Sequence, residues 1–287
     1  MRLSVIVPCF NAASTIAAQL EALANQCWSE PWEVIIADNG STDGTLAVTE
    51  RYKERIPNFR VVNATEKRGA AHARNVGARA AMSELLAFCD ADDEVAPGWV
   101  AAIGNALTKY DFVASRFEPE KLNQSWVLRS HGCPQQHGLQ EYKYPPFLPH
   151  AGGCGLGIKR SLHEAIGGFD ETILQLQDTD YCWRLQLKGA KLHFVPDAMI
   201  HIRYRDTLAS MYRQARKWGE QNVLMYKRYR PRGMPKLSWK DGVRAWLKLM
   251  WQLPQIRRKE DWARWVWQLS WRIGRVQGCI KHRVLAL

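Results

Sequence analysis

The sequence predicts an α/β protein built on a mostly parallel, Rossmann-like sheet. Three short segments rich in Val, Ile and Leu, at 3–7, 34–37 and 85–89, are separated by stretches with helical periodicity. Short apolar runs that alternate with helices are typical of parallel strands, which are buried on both faces. The chain has 287 residues, of which 46% are hydrophobic, enough for one large domain with an appendage.

Apolar runs mark the strands, 3.6-residue periodicity marks the helices, and Gly and Pro mark the breaks. The predicted order begins with strand 3–7, helix 12–26, strand 33–37, helix 45–55, strand 59–62, helix 70–81, strand 85–89, helix 97–109 and strand 111–115. It continues with a polar insertion or long loop at 118–151, a glycine-rich segment at 152–157, a helix from about 159, a turn at 167–170, a helix from about 178 and a strand near 191–195.

The glycine-rich segment at 152–157 superficially resembles a phosphate-binding loop, but no Lys follows its second Gly at the required spacing. We interpret it either as a backbone that passes close to a ligand or as a flexible turn. From 207 onward the pattern is helical and is broken at Pro231, Pro235 and Pro254.

The apolar run at 85–89 ends in Asp90-Ala91-Asp92-Asp93. Three carboxylates in four residues repel one another and are costly to desolvate unless a cation joins them. Mg²⁺ or Mn²⁺ suits such oxygen ligands, and Mg²⁺ is usually held by one or two carboxylates together with substrate phosphates. The alternative is an acidic turn that caps the helix expected after Pro97.

Polar residues also follow the other two apolar strands, at 8–11 and 38–44. Ligands of open α/β sheets bind beyond the carboxyl ends of the strands. Three polar strand ends on one edge therefore predict a binding site at that edge.

Charge divides the chain into two predicted domains, 1–202 and 203–287. Residues 203–287 carry 21 Lys and Arg against 5 Asp and Glu, net +16, whereas residues 1–202 carry 19 against 23, net −4. This basic extension also contains eight tryptophans: Trp218, Trp239, Trp246, Trp251, Trp262, Trp265, Trp267 and Trp271.

In the last predicted helix of the extension, Trp262, Val266, Leu269, Ile273 and Val276 share one face, and Arg264, Arg272 and Arg275 lie largely elsewhere. Such a helix suits an anionic membrane interface, with its rings at the level of the headgroups. Packing of the tryptophans against the acidic body is the alternative. Periodicity does not separate the two.

The cysteine pattern and the hydropathy predict a cytoplasmic protein. The seven cysteines are odd in number, scattered and never spaced as CxxC, which favours a reducing compartment. The N-terminus enters a strand at once, and no apolar stretch approaches the roughly 18 to 20 residues that span a bilayer. We expect a cytoplasmic body with peripheral contact at the inner face of the cell membrane.

Five motifs occur in an order that resembles glycosyltransferase family 2 over about residues 3–202. They are Ser4-Val5-Ile6-Val7-Pro8-Cys9-Phe10-Asn11, Asp38-Asn39-Gly40-Ser41-Thr42-Asp43-Gly44-Thr45, Gly69-Ala70-Ala71-His72-Ala73-Arg74-Asn75-Val76-Gly77, the Asp90 to Asp93 cluster and Gly167-Gly168-Phe169-Asp170. The resemblance implies a GT-A fold, with a C-terminal helical extension here. It also implies inverting transfer of one sugar from a nucleotide-diphosphate donor, UDP-sugar favoured, and a divalent metal, Mn²⁺ or Mg²⁺.

The resemblance also implies roles for particular residues. Asp38 would bind the nucleobase beside a wall of Pro8, Phe10 and Asn11, and Asp43 and Arg74 would complete the nucleotide pocket. Asp90 and Ala91 would lie near the ribose, Asp92 would bind the metal, and His201 would reach the metal or the diphosphate. A helix cap for Asp43, a surface ion pair for Arg74 and a packing role for His201 are the alternatives.

Asp178 takes the position of the family's catalytic base, which removes a proton from the acceptor hydroxyl. Gln177 stands where the family usually has Glu, and an N-cap role for Asp178 is the alternative. The segment from Gln214 to Trp218 is similar to the QxxRW motif of processive members, with Lys217 in place of Arg. Because the large membrane domain of processive enzymes is missing, we expect transfer of a single sugar.

The expected acceptor is a saccharide or a lipid-linked saccharide, in polysaccharide or glycolipid assembly. Two other functions remain open at this point. A nucleotidyltransferase would share the metal carboxylates, but we would expect a glycine-rich, basic loop after its first strand. A nucleic-acid-binding protein would use the basic extension but would leave the acidic strand end unexplained, so no nucleic-acid partner is expected.

Overall fold

The computed structural model of the protein describes residues 1–142 and 146–286. It confirms the predicted α/β class, with an eight-stranded mixed sheet in the order β3-β2-β1-β4-β7-β6-β8-β5. The strands are β1 (Leu3–Cys9), β2 (Trp32–Asp38), β3 (Phe59–Asn63), β4 (Leu85–Phe88), β5 (Glu94–Val95), β6 (Phe112–Glu118), β7 (Leu156–Lys159) and β8 (Leu192–His201).

Helices follow most of the strands along the chain. They are α1 (Ile16–Ala24), α2 (Thr45–Glu50), α3 (Ala70–Ala80), α4 (Trp99–Lys109), α5 (Ser125–Ser130), α6 (Arg160–Ala165), α7 (Gln177–Leu187), α8 (Leu208–Tyr229), α9 (Trp239–Gln252) and α10 (Lys259–His282). A single 3₁₀ turn, Gly153–Gly155, precedes β7.

The N-terminal half of the sheet is parallel, as the apolar runs predict. β1 pairs in parallel with both β2 and β4, and β2 pairs in parallel with β3. Every residue of β1 and β2 is buried, which is why both strands read as continuous apolar runs. β7 is antiparallel to β4 and β6 and makes the sheet mixed.

The glycine-rich segment is neither a flexible turn nor a loop throughout. Its last two residues, Leu156 and Gly157, begin β7, an internal strand that the sequence did not predict. A Cβ at Gly157 would lie 2.8 Å from Cγ2 of Val113 on the neighbouring strand. Glycine therefore permits close packing here, and the absence of side chains hid the strand from a hydropathy pattern.

The strand predicted near 191–195 continues to His201, so His201 lies within β8 and not past it. Pro196 and Asp197 are exposed and interrupt the apolar pattern. They coincide with an irregularity in the pairing of β8 with β6, between Ser115 and Arg116. A bulge of this kind accommodates Pro and Asp inside a strand that continues beyond them. The helix predicted at 45–55 also ends early, as α2 stops at Glu50.

The described residues divide into two compact units. The first comprises residues 1–122, 133–140 and 149–203, and the second 123–132, 141–148 and 204–287. The predicted insertion at 118–151 is thus shared between the units and contains α5. Within residues 1–142 and 146–286, no helix is long and apolar enough to cross a membrane.

In the second unit, glycines allow the backbones of α8 and α10 to touch. A Cβ at Gly274 would lie 2.0 Å from the carbonyl oxygen of Arg216, and a Cβ at Gly219 would lie 2.2 Å from that of Trp271. The helices therefore pack through their smallest residues, and larger side chains surround this line of contact.

We expect Gly274→Ala to lower the free energy of unfolding by about 2–4 kcal/mol, because the new methyl group must push two helix backbones apart. Alanine is the better helix former by about 1 kcal/mol, so propensity alone predicts the opposite sign. Gly132→Ala is the control, since nothing lies within 4 Å of its added Cβ. Urea unfolding measures both, and a Gly274→Ala variant as stable as the parent would contradict the tight packing.

Candidate active site

The ends of the parallel strands form the predicted polar edge. Cys9 at the end of β1 pairs with Asp38 at the end of β2, and Ile6 of β1 pairs with Phe88 at the end of β4. The residues that follow these strands therefore start from adjacent positions on one edge of the sheet. All the candidate site residues of the sequence lie in the first unit.

Asp38 is nearly buried, and its carboxylate is held by its own loop. The backbone N–H of Gly40 donates to it over 3.2 Å, and that of Ser41 donates over 3.2 and 3.3 Å. Gly40 has a φ of 81°, a left-handed conformation that glycine adopts without strain. The loop therefore fixes the orientation of Asp38 before any ligand binds.

Asn11 and Asp43 join the first two loops of the edge. Asn11 has a φ of 48°, which Asn tolerates better than most residues, and its Oδ1 accepts the N–H of Thr42 at 2.8 Å. Asp43 accepts the backbone N–H groups of Ala13 at 3.1 Å and Thr45 at 3.0 Å. The exposed Asp43 carboxylate thus supports the loop before α2, but it is not the N-cap, because that position is held by Gly44.

The proposed wall of the nucleotide pocket has one buried and one exposed member. Pro8 is buried within β1, so its ring offers no exposed surface to a ligand. Phe10 is 48% exposed, and the guanidinium of Arg68 lies 4.5 Å from the centre of its ring. An exposed aromatic ring beside a cation offers a stacking surface for a flat ligand.

Arg74 is the most deeply buried charge at this edge. It projects from α3 with 3% of its surface exposed, and its Nη2 donates to Oδ1 of Asp90 at 2.6 Å. Burial would lower the pKa of Arg74, but Asp90 and Asp178 raise it, so the side chain stays charged. The surface ion pair considered from sequence is therefore wrong, because the cation is inside the protein.

The surroundings of Arg74 leave part of its hydrogen-bonding capacity unused. Its Nε and Nη1 are buried and have no hydrogen-bond partner among residues 1–142 and 146–286. The guanidinium lies 5.5 Å from the centre of the Phe169 ring, and a Cβ at Gly153 would lie 2.9 Å from its Cζ. Buried, unpaired N–H groups are costly, so the neighbouring anions Asp90 and Asp178 are important for keeping this cation in place.

Asp178 lies in the first turn of α7, close to the same cation. Its carboxylate accepts the N–H of Gly153 at 3.0 Å and that of Thr179 at 2.8 Å. Burial raises the pKa of Asp178 above its usual value, although Arg74 opposes the increase. A carboxylate with a raised pKa is a stronger base than an exposed one.

The neighbouring Asp180 is not available for the same role. It is fully buried, and its carboxylate accepts the Nε–H of Arg184 at 2.6 Å. Arg184 in turn donates to the carbonyl oxygens of Ile166 and Gly168. Asp180 therefore anchors α7 to the turn at 167–170, and Asp178 is the carboxylate of this turn of helix that lies beside Arg74.

β5, which directly follows the acidic turn, pairs with the end of β8 that carries His201. Glu94 of β5 pairs with His201, and Nδ1 of His201 is bonded to the carboxylate of Glu118 on β6. Arg203 donates its N–H to Asp93 at 2.9 Å and its Nε–H to the carbonyl of Asp92 at 3.0 Å. A histidine that donates Nδ1–H to a carboxylate presents Nε2 as a metal ligand.

The one compact cluster of three metal-type ligands within residues 1–142 and 146–286 does not include Asp92 or His201. It comprises Asp90, Asp93 and Cys154, whose ligand atoms lie within 4.8 Å of one another. Burial, followed by Asp92 and Asp90, raises the pKa of Asp93 well above its usual range. Burial also raises the pKa of the Cys154 thiol, so this cluster favours protons and is a poor site for a hard cation.

The pKa of the Cys9 thiol, at the end of β1, also reflects the negative charge of the edge. Burial, then Asp38 and Asp43, raises the pKa of Cys9 to about 12. Asp92 contributes in the same direction. The edge therefore carries excess negative charge around one buried cation, an arrangement that a divalent metal would balance.

Several residues of the site had no individual role assigned from the sequence. Glu118 lies 83 positions before its partner His201, and Gly153 reaches both Arg74 and Asp178 from another segment. Asn39 was part of a quoted motif but had no assigned role. Its side chain accepts the N–H of Gly69 at 2.8 Å and donates to the carbonyl of Lys67 at 2.7 Å, which fixes the loop before α3.

Glu171 joins that loop and α3 to the turn at 167–170. Its carboxylate lies 2.9 Å from Nζ of Lys67, 3.1 Å from Nδ1 of His72 and 3.0 Å from Nδ2 of Asn75. Burial alone would raise the pKa of Glu171, but hydrogen bonds from Asn75, Lys67 and His72 lower it to about 2. The helix that carries Arg74 is thereby held at its N-terminal end.

The mixed sheet and the polar edge at its strand ends agree with the glycosyltransferase class that the comparisons with known proteins identify. The sequence matches the family model described as "Glycosyl transferase family 2" over residues 4–167 and the model described as "Glycosyl transferase family group 2" over residues 136–277. The chain belongs to glycosyltransferase family 2, and the resemblance inferred from its motifs is confirmed.

Among curated relatives, the chain is 33% identical to the uncharacterized glycosyltransferase YibD of Escherichia coli over 131 residues, which are 46% of this chain and 36% of YibD. It spans about a third to a half of the length of the curated relatives that it matches first.

Solved structures confirm the GT-A fold. The mannosyltransferase PcManGT of Pyrobaculum calidifontis, in complex with GDP-Man and Mn²⁺, has a TM-score of 0.67 at 21% identity, covering 98% of this chain and 87% of that one. Residues 1–349 of Staphylococcus aureus TarS, in complex with UDP-GlcNAc, have a TM-score of 0.58 at 19% identity, covering 78% and 67%. At these identities the likeness shows the fold alone.

We expect Glu171→Gln to lower the free energy of unfolding at pH 7 by about 1–2 kcal/mol, less than the full pKa difference implies because the site is partly solvated. The pKa of Glu171 is lowered from 4.5 to about 2, so its contribution is present above pH 4.5 and is lost as the pH falls toward 2.

Urea unfolding of parent and variant at pH 7, 4.5 and 3 measures this contribution. Glu164→Gln is the control, because its carboxylate is 64% exposed and its contact with Arg160 is 3.9 Å long. A stability difference that stays constant over this pH range would show that the ionised form of Glu171 is not the source.

Proposed function

We propose that this chain is an inverting glycosyltransferase that moves one hexose-like sugar from a nucleotide-diphosphate donor to an acceptor hydroxyl. The observation that carries the proposal is the buried Arg74, which lies between Asp90 and Asp178 with two N–H groups unpaired. The positive charge of Arg74 would attract an anionic diphosphate to this edge, and a base would stand beside it. Residues 1–202 would carry this activity, with 203–287 as a helical extension.

On the donor side, the order of the loops supports a nucleotide that lies along the strand ends. Asp38 is prepared to accept hydrogen bonds from a nucleobase, beside the exposed ring of Phe10 and the loop fixed by Asn11 and Asp43. Asp90 and Ala91 follow β4 at the position proposed for the ribose. We favour a UDP-sugar, and TarS, which shares the fold, is solved with UDP-GlcNAc.

Asp92 and His201, beside the acidic turn, would hold the divalent metal. Asp92 offers an oxygen, and His201, oriented by Glu118, offers a nitrogen. Donor phosphates and water would complete the ligands of Mn²⁺ or Mg²⁺. When bound, the metal supplies charge stabilisation to the departing diphosphate. PcManGT, which shares the fold, is solved with Mn²⁺.

The chemical step assigned to this chain is removal of a proton by Asp178. Its carboxylate would accept the proton of the acceptor hydroxyl while the hydroxyl oxygen attacks the anomeric carbon of the donor sugar from the face opposite the diphosphate. The bond from that carbon to the diphosphate oxygen would break, the diphosphate would leave, and the configuration of the carbon would be inverted. Arg74 would keep Asp178 ionised and hold the leaving diphosphate. Hydrogen bonds from Gly153 and Thr179 fix the direction of the carboxylate.

We further propose that the acceptor is a saccharide or a lipid-linked saccharide and that the enzyme works in polysaccharide or glycolipid assembly. The basic second unit would hold the protein peripherally at the inner, anionic face of the cell membrane. All seven cysteines are free thiols, which supports a reducing, cytoplasmic location.

UDP with Mn²⁺ should raise the melting temperature of the parent protein more than UDP with a chelator does, because a ligand of the native state stabilises it by mass action. Asp92→Ala should abolish the metal-dependent part and leave the metal-independent part. Asp197→Ala, which removes an exposed aspartate of β8, is the control. Equal stabilisation with metal and with chelator, for both UDP and GDP, would refute the proposed metal site.

Asp178→Asn should retain donor binding and lose transfer by on the order of 10²-fold or more, the scale of general-base contributions. Transfer is measured as release of nucleoside diphosphate in the presence of acceptor, and donor binding is measured by thermal stabilisation. Gln177→Glu is the matched control, since it changes the adjacent side chain and leaves the base in place. An Asp178→Asn enzyme with turnover near that of the parent would remove Asp178 from the mechanism.

A further inference from the structure

Helix α9 exposes a continuous row of large apolar side chains, here called the α9 face. Its members are between 45% and 70% exposed: Trp239, Val243, Leu247, Met250 and Trp251. Other exposed large apolar residues are mostly scattered along the chain and need no explanation. Five within one short helix form a patch, and patches of this kind mark interaction surfaces.

The arrangement of residues around α9 is that of an interfacial helix. At 100° per residue, the α9 face covers a sector of about 120°. Gly242 and Leu249, on another side, are the buried residues of the helix. On the same count, Lys240 lies inside this sector near its edge, and Arg244 and Lys248 lie about 20° and 60° beyond that edge; all three are exposed. Asp241, the one acidic residue of α9, lies 3.0 Å from Arg244.

Contacts inside the second unit hold α9 with its apolar face outward. Leu249 is fully buried, and its carbonyl accepts the Nε1–H of Trp265 from α10 at 3.0 Å. Trp267 of α10 packs against Trp218 of α8, with ring centres 5.5 Å apart. Trp265 and Trp267 of α10 thus have partners within the unit. Trp262 of α10 is 46% exposed, less than Trp239 and Trp251 of α9, which are 60% and 70% exposed.

We infer that α9 is a membrane-interface helix that inserts its apolar face among the headgroups of an anionic lipid bilayer. This inference rests on the membrane contact proposed above for the basic second unit as a whole, and it assigns that contact to α9. Trp and Leu side chains enter the boundary between headgroups and acyl chains, and the bordering Lys and Arg side chains meet lipid phosphates.

Charge distinguishes a lipid surface from a second copy of the chain. Two copies that met through the α9 face would bring Lys240, Arg244 and Lys248 of each chain toward the same basic residues of the other. Residues 203–287 as a whole carry a net charge of +16, which adds to this repulsion. An anionic bilayer offers the opposite charge and an apolar layer beneath it.

The full chain should sediment with vesicles of phosphatidylglycerol and phosphatidylcholine but not with phosphatidylcholine alone, and high salt should weaken the binding without abolishing it. Leu247→Glu should weaken vesicle binding by about 10-fold or more, because an apolar side chain that would enter the bilayer is replaced by a charged one. Met82→Glu is the matched control: Met82 is 63% exposed in the first unit, and Leu247 is 65% exposed.

Lys240→Gln with Lys248→Gln should weaken binding by roughly 30-fold, or about 1 kcal/mol per basic residue.

Vesicles that contain brominated lipid identify the inserted helix, because bromine quenches nearby tryptophan emission. Trp251→Phe should reduce the quenched fraction, whereas Trp262→Phe of α10 should not. Quenching that depends on Trp262 would place the contact on α10 and overturn the inference. Equal binding to neutral vesicles, or no binding to anionic vesicles at low salt, would overturn it as well.

Sedimentation velocity tests whether a second copy of the chain, and not a lipid surface, covers the α9 face. A concentration-dependent dimer that Leu247→Glu dissolves would assign the α9 face to a second copy and refute lipid insertion. Stabilisation by UDP and Mn²⁺ is measured on every variant. A variant that loses vesicle binding but keeps this stabilisation confirms α9 independently of the active site, and loss of the nucleotide response in the parent counts only against the proposed function.

Discussion

The buried charge of Arg74 is the constraint on which the active site depends. A guanidinium with 3% exposure is tolerated only if anions and ring faces replace its water, and the fold gathers these from segments far apart in the chain. Asp90 comes from the end of β4, Phe169 from the turn before α7, and Gly153 from the 3₁₀ turn before β7. Asn75, the next residue of α3, donates to the carbonyl of Phe169 and accepts its N–H. These two bonds hold the backbone of Phe169 beside the helix that carries Arg74.

The strands that the sequence predicted are those whose pattern follows from burial alone. β1, β2 and β4 are covered on both faces, so apolar side chains identify them. β7 could not be predicted, because Gly157 is required by the close approach of Val113, and that neighbour is known only once the sheet is assembled. The end of β8 was missed for a similar reason, since Pro196 and Asp197 resemble a strand end unless the bulge opposite Ser115 is known.

The same distinction separates the parts of the site that the sequence revealed from those that it did not. Asp38, Asp90 and Asp178 follow or begin predicted elements, so motif and position identified them together. Glu118 and Glu171 act through partners on other elements, and no local pattern marks a residue whose role is to orient a distant side chain. Asp43 belongs to a motif that implied a role in the nucleotide pocket. In the structure its carboxylate accepts two backbone N–H groups, one from its own loop and one from the neighbouring loop, which the motif did not indicate.

The glycines of the second unit explain why its tryptophans do not form one apolar core. Close contact between α8 and α10 at Gly219 and Gly274 leaves no room for large side chains on the line between the helices, so aromatic rings lie around it. Some of these rings find partners inside the unit, as Trp218 and Trp267 do. The Nε1–H of Trp265 in α10 binds the carbonyl of Leu249 and joins α9 to this pair, while five large apolar side chains of α9 remain exposed. Composition could not distinguish these two kinds of tryptophan, because the difference lies in which helix the glycines bring together.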